Sequence, residues 1–135
     1  MRRRTEFVFD RSPRILMVES DELSARTAGA WIEGQQAKLV WVKSAKEAMD
    51  LLYDMVFIES SFDGLLAEQR SPDMNGRRVV EEFRHEFPGM ATALMTASDD
   101  VGLDLWASAR RIAILRKPLE KESIAGWLEQ FKVPA

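Results

Sequence analysis

The sequence predicts an α/β fold, an open five-stranded parallel sheet with helices on both faces, and three observations predict it. Short, largely apolar runs recur along the chain without the strict in-out alternation of a half-exposed strand. Between those runs the apolar period lengthens to that of a helix. The two kinds of segment alternate in order through mostly short connections, the pattern of parallel strands joined by right-handed crossovers.

The strands are read at 15–18 (Ile-Leu-Met-Val), 38–42, 55–58 (Met-Val-Phe-Ile), 90–95 and 112–115. A first helix, capped by Asp21, carries Leu23, Thr27, Ala30 and Trp31 along one face. A second, capped by Ser44, carries Ala45, Ala48, Met49 and Leu52. Val79, Val80, Phe83 and Phe87 stripe a third, which starts after Gly76 and stops at Pro88-Gly89. Val101, Leu105 and Ala109 mark a fourth. Ile124, Trp127, Leu128 and Phe131, spaced i, i+3, i+4 and i+7, mark a fifth over 120–132. Residues 1–13 read as an amino-terminal extension with a solvated Arg2–Arg4 cluster, and residues 14–132 as the domain. A long connection follows the third strand, of the kind that is usually functional or mobile.

Composition narrows the chemistry. The 135 residues, 46% of them hydrophobic, are enough for one buried core. The formal charge of -3 gives no global reason to expect a nucleic-acid partner. Without cysteine there is no disulfide, thiolate metal site or thiol nucleophile. The lone histidine, His85, lies on the charged face of the third helix and has no second histidine to pair with. No apolar run approaches the roughly 20 residues needed to cross a bilayer, so no membrane association is expected and a cytoplasmic location is.

Open sheets of this kind place their sites beyond the carboxyl ends of the strands. The residues there are Glu19, Ser20 and Asp21, then Glu59 to Asp63, then Thr96, Ala97 and Ser98, and finally Lys117 with Pro118. Five fragments, Arg14-Ile-Leu-Met-Val-Glu19-Ser20-Asp21, Asp54-Met-Val-Phe-Ile-Glu59, Ser71-Pro-Asp-Met-Asn-Gly76, Leu94-Met-Thr96-Ala97 and Leu115-Arg-Lys117-Pro118, together resemble the receiver domains of bacterial two-component response regulators. The resemblance covers residues 14–131 and implies a flavodoxin-like strand order 2-1-3-4-5. It also implies a strand-three carboxylate that accepts a phosphoryl group with Mg²⁺, a lysine and a hydroxyl that hold the phosphate, and output through a protein interface rather than an enzymatic reaction.

Four departures from that pattern bear on function. Glu59 stands at the phosphoacceptor position and is expected to pair with Lys117. Ser20 replaces a metal-binding carboxylate of the acidic pocket (Glu19, Ser20, Asp21), which weakens any Mg²⁺ site, so no resident cofactor is expected. Thirteen positions separate Glu59 from Pro72 where the resemblance implies four, hence an inserted loop at about 60–71. Ile114 replaces a switching aromatic, which leaves Thr96 without its usual relay.

These departures point to an atypical receiver, or pseudo-receiver, working through protein contacts independently of aspartyl phosphorylation. Its expected partner is a histidine kinase or downstream effector, met on the face of helix four, strand five and helix five. Trp106, Arg110, Arg111, Ile114 and Arg116 are the interface candidates there, and a homodimer is compatible with them. A rival reading makes Asp63 the phosphoacceptor, with Mg²⁺ bound beside it. A flavin- or nucleotide-binding protein on the same sheet would need a glycine- and serine-rich loop after the first strand, where Glu19-Ser-Asp-Glu22 stands instead.

Overall fold

Ile15, Leu16, Met17 and Val18 are all essentially inaccessible to solvent, which is possible only for a strand covered on both faces. A computed structural model places that strand at the centre of the fold and describes residues 6–58 and 61–135. Arg2, Arg3, Arg4 and Glu59 lie outside the described residues. In chain order the strands are β1 (Phe7–Phe9), β2 (Arg14–Val18), β3 (Lys38–Val42), β4 (Gly64–Glu68), β5 (Ala91–Thr96), β6 (Ala113–Arg116) and β7 (Lys132–Pro134). The helices are α1 (Glu22–Gly34), α2 (Ala45–Ile58), α3 (Gly76–Glu86), α4 (Val101–Ala109) and α5 (Lys121–Leu128). The main sheet is parallel with order β3-β2-β4-β5-β6, which is the expected 2-1-3-4-5 topology.

Successive strand residues feed opposite layers. Leu16, Val18, Leu65 and Ala67 pack under α2, α3 and α4 with Leu52, Val79, Val80, Phe83 and Leu103. Ile15, Met17 and Leu66 pack on the other side under α1 and α5 with Ala28, Ile32, Ile124, Trp127 and Leu128. The third and fifth apolar stripes read from the sequence are therefore core faces, and His85 is exposed.

The third strand is corrected. Residues 55–58 form the last turn of α2, where Met55 continues the buried series Ala45, Ala48 and Leu52. The strand lies at Gly64–Glu68, inside the segment read as an inserted loop, and every one of its residues is buried. There is no nine-residue insertion: only four positions separate Glu68 from Pro72.

Two helix faces are corrected as well. On α1 the buried residues are Ala25, Ala28, Gly29 and Ile32, while Leu23 is 75% exposed. Close approach to β3 explains this, because a Cβ on Gly29 would stand 2.8 Å from Leu39 Cδ2, so the small-residue face turns inward. On α4 Leu103 and Ala107 are buried, whereas Val101, Leu105 and Ala109 face solvent. The fifth helix ends at Leu128, before a 3₁₀ turn at Glu129–Phe131. The chain beyond that turn forms β7, which pairs antiparallel with β1 from the amino-terminal extension.

The turn after β4 is fixed by one glycine. Gly76 donates its N–H to Gln69 O (2.8 Å), and a Cβ there would stand 2.1 Å from the backbone oxygen of Glu68. Asn75 caps α3 by accepting from Arg77 N (2.9 Å). Gly76→Ala is expected to lower stability by about 1–3 kcal/mol, since the neighbour is rigid backbone. Urea unfolding measures it, and a change within about 0.5 kcal/mol would contradict so close a contact.

Candidate functional site

Parallel strands deliver their last residues to one edge of the sheet. Glu19 follows β2, Glu68 ends β4, Thr96 ends β5, and Lys117 follows β6 and precedes Pro118 through a cis peptide bond. The backbone ties these ends together: Glu19 N donates to Val42 O (3.1 Å), Gln69 N to Met95 O (2.9 Å) and Lys117 N to Thr96 O (2.8 Å). Trp41 Nε1 adds a bond to Glu19 O (2.9 Å) from the edge strand.

Two carboxyls and one amine meet there. Lys117 Nζ lies 2.5 Å from Glu19 Oε1, and Glu19 is 1% exposed. Glu19 Oε2 accepts from Asp21 N (3.2 Å). Glu68 is 4% exposed; its Oε2 accepts from Ser20 Oγ (3.2 Å), while no donor reaches its Oε1. Burial pushes Glu68 up to about 7, and its hydrogen bond to the Glu19 carboxylate pushes the same way. For Glu19, burial alone would favour the neutral form, but the hydrogen bonds from Glu68 and Lys117 outweigh it and hold its pKa below the ordinary range. The arrangement is therefore a salt bridge, Glu19 to Lys117, beside a carboxyl whose neutral form is favoured up to about pH 7.

The flanking groups are also occupied. Thr96 Oγ1 donates to Gln69 Oε1 and accepts from Ser98 N (3.0 Å). Glu68, Gln69, Arg70, Thr96, Ala97, Ser98 and Lys117 line an open cavity of about 310 Å³. Asp21 points away and caps α1, with Oδ2 accepting from Ser24 N (2.8 Å) and Ser24 Oγ (2.6 Å).

The site read from the sequence is thus partly assembled. Glu19, Ser20, Thr96 and Lys117 converge, with Ala97 and Pro118 at the border. Asp63 does not join them. It precedes β4, at the opposite end of that strand, where it binds Arg11 (2.6 Å) and Arg14 N (2.7 Å). With Asp63 on the wrong edge of the sheet, its role as an alternative phosphoacceptor is withdrawn. The strand assigned to Glu59 is helix, and the strand-end position is held by Glu68, again a glutamate. Glu68 and Gln69 were missed, although counting back four positions from Pro72 lands on Glu68.

This donor set does not fit Mg²⁺. Glu19 is bound to an ammonium, Ser20 offers a hydroxyl, Glu68 is pushed up to about 7, and Asp21 is a helix cap; hard divalent cations need free carboxylate oxygens. Among the described residues no group of three His, Asp or Glu side chains could hold a metal ion.

Of the interface candidates, Trp106 is half-buried, with the Arg77 guanidinium 4.5 Å and the Arg110 guanidinium 4.8 Å from its ring centroid. Arg116 binds Ser98 O and Asp104 (2.5 Å), Ile114 packs against the α2–α4 core, and Arg110 and Arg111 are exposed. Among the described residues no helix is long and apolar enough to cross a membrane.

No protein-family model matches the chain. The autoinducer 2 sensor kinase/phosphatase LuxQ of Vibrio harveyi is 23% identical over 130 residues, covering 94% of this chain and 14% of that protein. The chain thus spans about a seventh of the curated relatives it matches. The non-phosphorylated HemR receiver domain of Leptospira biflexa superposes with a TM-score of 0.77 at 25% identity, covering 89% of this chain and 94% of that one. The signal receiver domain of an HD domain-containing protein from Pseudomonas fluorescens Pf-5 gives 0.75 at 22% identity, with the same coverage. The strand order, the crossovers and these likenesses agree: the chain has the fold of the receiver domains of response regulators.

Proposed function

We propose that this chain is an atypical receiver that signals through protein contacts without aspartyl phosphorylation. The observation that carries the reading is the state of Glu68. A carboxyl must be ionised to attack phosphorus, and this one is buried beside the Glu19 carboxylate and pushed up to about 7, which disfavours its anion. Its carboxyl also sits one methylene further from the backbone than an aspartate's would. The lysine that would neutralise phosphate oxygens is already engaged by Glu19. Ile114 gives Thr96 no aromatic partner, and Gln69 already accepts its hydroxyl.

The partner in this reading is a histidine kinase or downstream effector, in keeping with the likeness to a sensor kinase/phosphatase. The contact face is α4, β6 and α5. Trp106 with its stacked arginines supplies a rigid aromatic there, and Arg111 an exposed cation.

Two outcomes are expected. Incubated with a small-molecule phosphoryl donor and Mg²⁺, the wild type gains no phosphate by intact mass, whereas Ser20→Asp combined with Glu68→Asp does. Phosphorylation of the wild type would overturn the reading. The second concerns pH. Glu68 binds its proton more tightly folded than unfolded, so its contribution to stability is fully present below 4.5 and is lost as pH rises through about 7. Glu19 acts oppositely, its contribution being lost only as pH falls through its lowered folded value. Urea midpoints should therefore decline between pH 5 and 7, by at most about 1.4 kcal/mol per pH unit for one proton, and Glu68→Gln should flatten that decline. An equally steep decline in Glu68→Gln would place the proton elsewhere.

A further inference from the structure

The first and last strands form a ribbon separate from the main sheet. β1 and β7 pair antiparallel, with Phe7 opposite Pro134, Val8 opposite Val133 and Phe9 opposite Lys132. One step beyond Phe7, Ala135 N donates to Glu6 O (2.7 Å), which makes Glu6 and Ala135 a hydrogen-bonded pair. Bonded and non-bonded pairs alternate along an antiparallel ladder, so Val8 is the next residue to turn its N–H and C=O toward β7. Phe7 and Phe9 therefore turn theirs to the outer edge of β1, where no hydrogen-bond partner reaches them among the described residues. The other edge of the ribbon is closed: Pro134 has no N–H, and Lys132 donates its own to Glu129 O. The open edge is apolar, with Phe7 57% and Val8 42% exposed, and two exposed acids, Glu6 and Asp10, bracket it.

We propose that the outer edge of β1 is a self-pairing surface, to which a second copy adds its own β1 antiparallel about a two-fold axis at Phe7. An unpaired strand edge is recognised by another extended backbone. An identical strand fits, because a two-fold antiparallel contact returns each outward N–H to an outward C=O. Charge selects the axis. One at Val8 would set Glu6 against Asp10 of the second copy, twice, and like charges directly opposite destabilise a pair. One at Phe9 would need the bend at Asp10 and Arg11 to serve as strand. An axis at Phe7 sets Asp10, the first residue past the strand, against Arg4 of the second copy, again twice. So short a ladder makes the dimer weak and concentration-dependent. The ribbon lies at the Asp63 end of β4, tied there by Arg11, so the inference goes beyond the carboxyl pocket and does not rest on it.

Amide exchange of the full chain, followed by NMR across a dilution series with sedimentation equilibrium for mass, tests the proposal. A monomer–dimer equilibrium is expected, in which the Phe7 and Phe9 amides exchange about tenfold more slowly in the dimer while Val8, already bonded to β7, changes little. Phe7→Pro removes an outward N–H and leaves the Val8 bonds, and Phe7→Lys places two like charges at the axis; each should weaken dimerisation about tenfold. Phe57→Ser, which removes an aromatic 88% exposed on α2, should leave it unchanged. Arg4→Asp and Asp10→Arg should each weaken it about threefold, and the double variant should restore it. A chain that stays monomeric up to about 1 mM, or a dimer whose Phe7 and Phe9 amides exchange as in the monomer, overturns the edge. A double variant that fails to recover overturns the axis at Phe7. A monomeric chain leaves the phosphate-free reading standing, and a phosphorylated wild type leaves the pairing standing.

Discussion

Two carboxyls and one amine meet at the carboxyl edge of the sheet, and only one of the carboxyls has a cationic partner. Taking an ion out of water costs several kcal/mol unless a counter-ion and hydrogen bonds replace the lost solvent. Lys117 provides that compensation for Glu19 and has none left for Glu68. Two buried carboxylates side by side repel, so Glu68 is pushed up to about 7 while Glu19 is held below its ordinary value. Everything at this edge of the sheet is arranged around that division. Ser20 supplies a neutral donor where a third carboxylate would add repulsion, and Gln69 takes the Thr96 hydroxyl that would otherwise face an empty cavity.

The scaffold makes this possible because β2, β4 and β6 all end at the same edge, and crossover helices keep the strands dry on both faces. Gly76 lets the backbone after β4 double back within van der Waals limits, which fixes Glu68 and Gln69 relative to α3. From the site, backbone and side-chain bonds run through Thr96 and Ser98 to Arg116 and Asp104 on α4. The helix that exposes Val101 and Leu105 is thus physically continuous with the carboxyl pocket.

The fold class, the strand order and four of the five main strands are legible in the sequence because each of those strands is a short, largely apolar run between helical segments. The third strand was not. Met55 to Ile58 is the more apolar and β-branched segment, yet it continues a helical stripe, while Gly64-Leu-Leu-Ala-Glu68 contains three residues that disfavour strands, Gly64, Ala67 and Glu68. Tertiary burial between β2 and β5 overrides that local preference. The error moved the candidate carboxylate from Glu68 to Glu59 and created a false insertion; the spacing to Pro72 carried the correct answer. On α1 and α4 the larger apolar residues were assigned to the core, but close packing selected the small ones, leaving Leu23, Val101 and Leu105 outside. The expected pairing of the strand-three glutamate with Lys117 does not carry over to Glu68, whose side-chain partner is Ser20; the lysine pairs with Glu19 instead.

The division of one proton between Glu19 and Glu68 is the central claim, and side-chain carbon NMR titration of these two residues tests it most directly. The account predicts that Glu68 titrates near 7 and Glu19 below the ordinary glutamate value. If both titrate as solvated carboxylates, the pocket is open to water, the proton is not shared, and Glu68 is available as an anion.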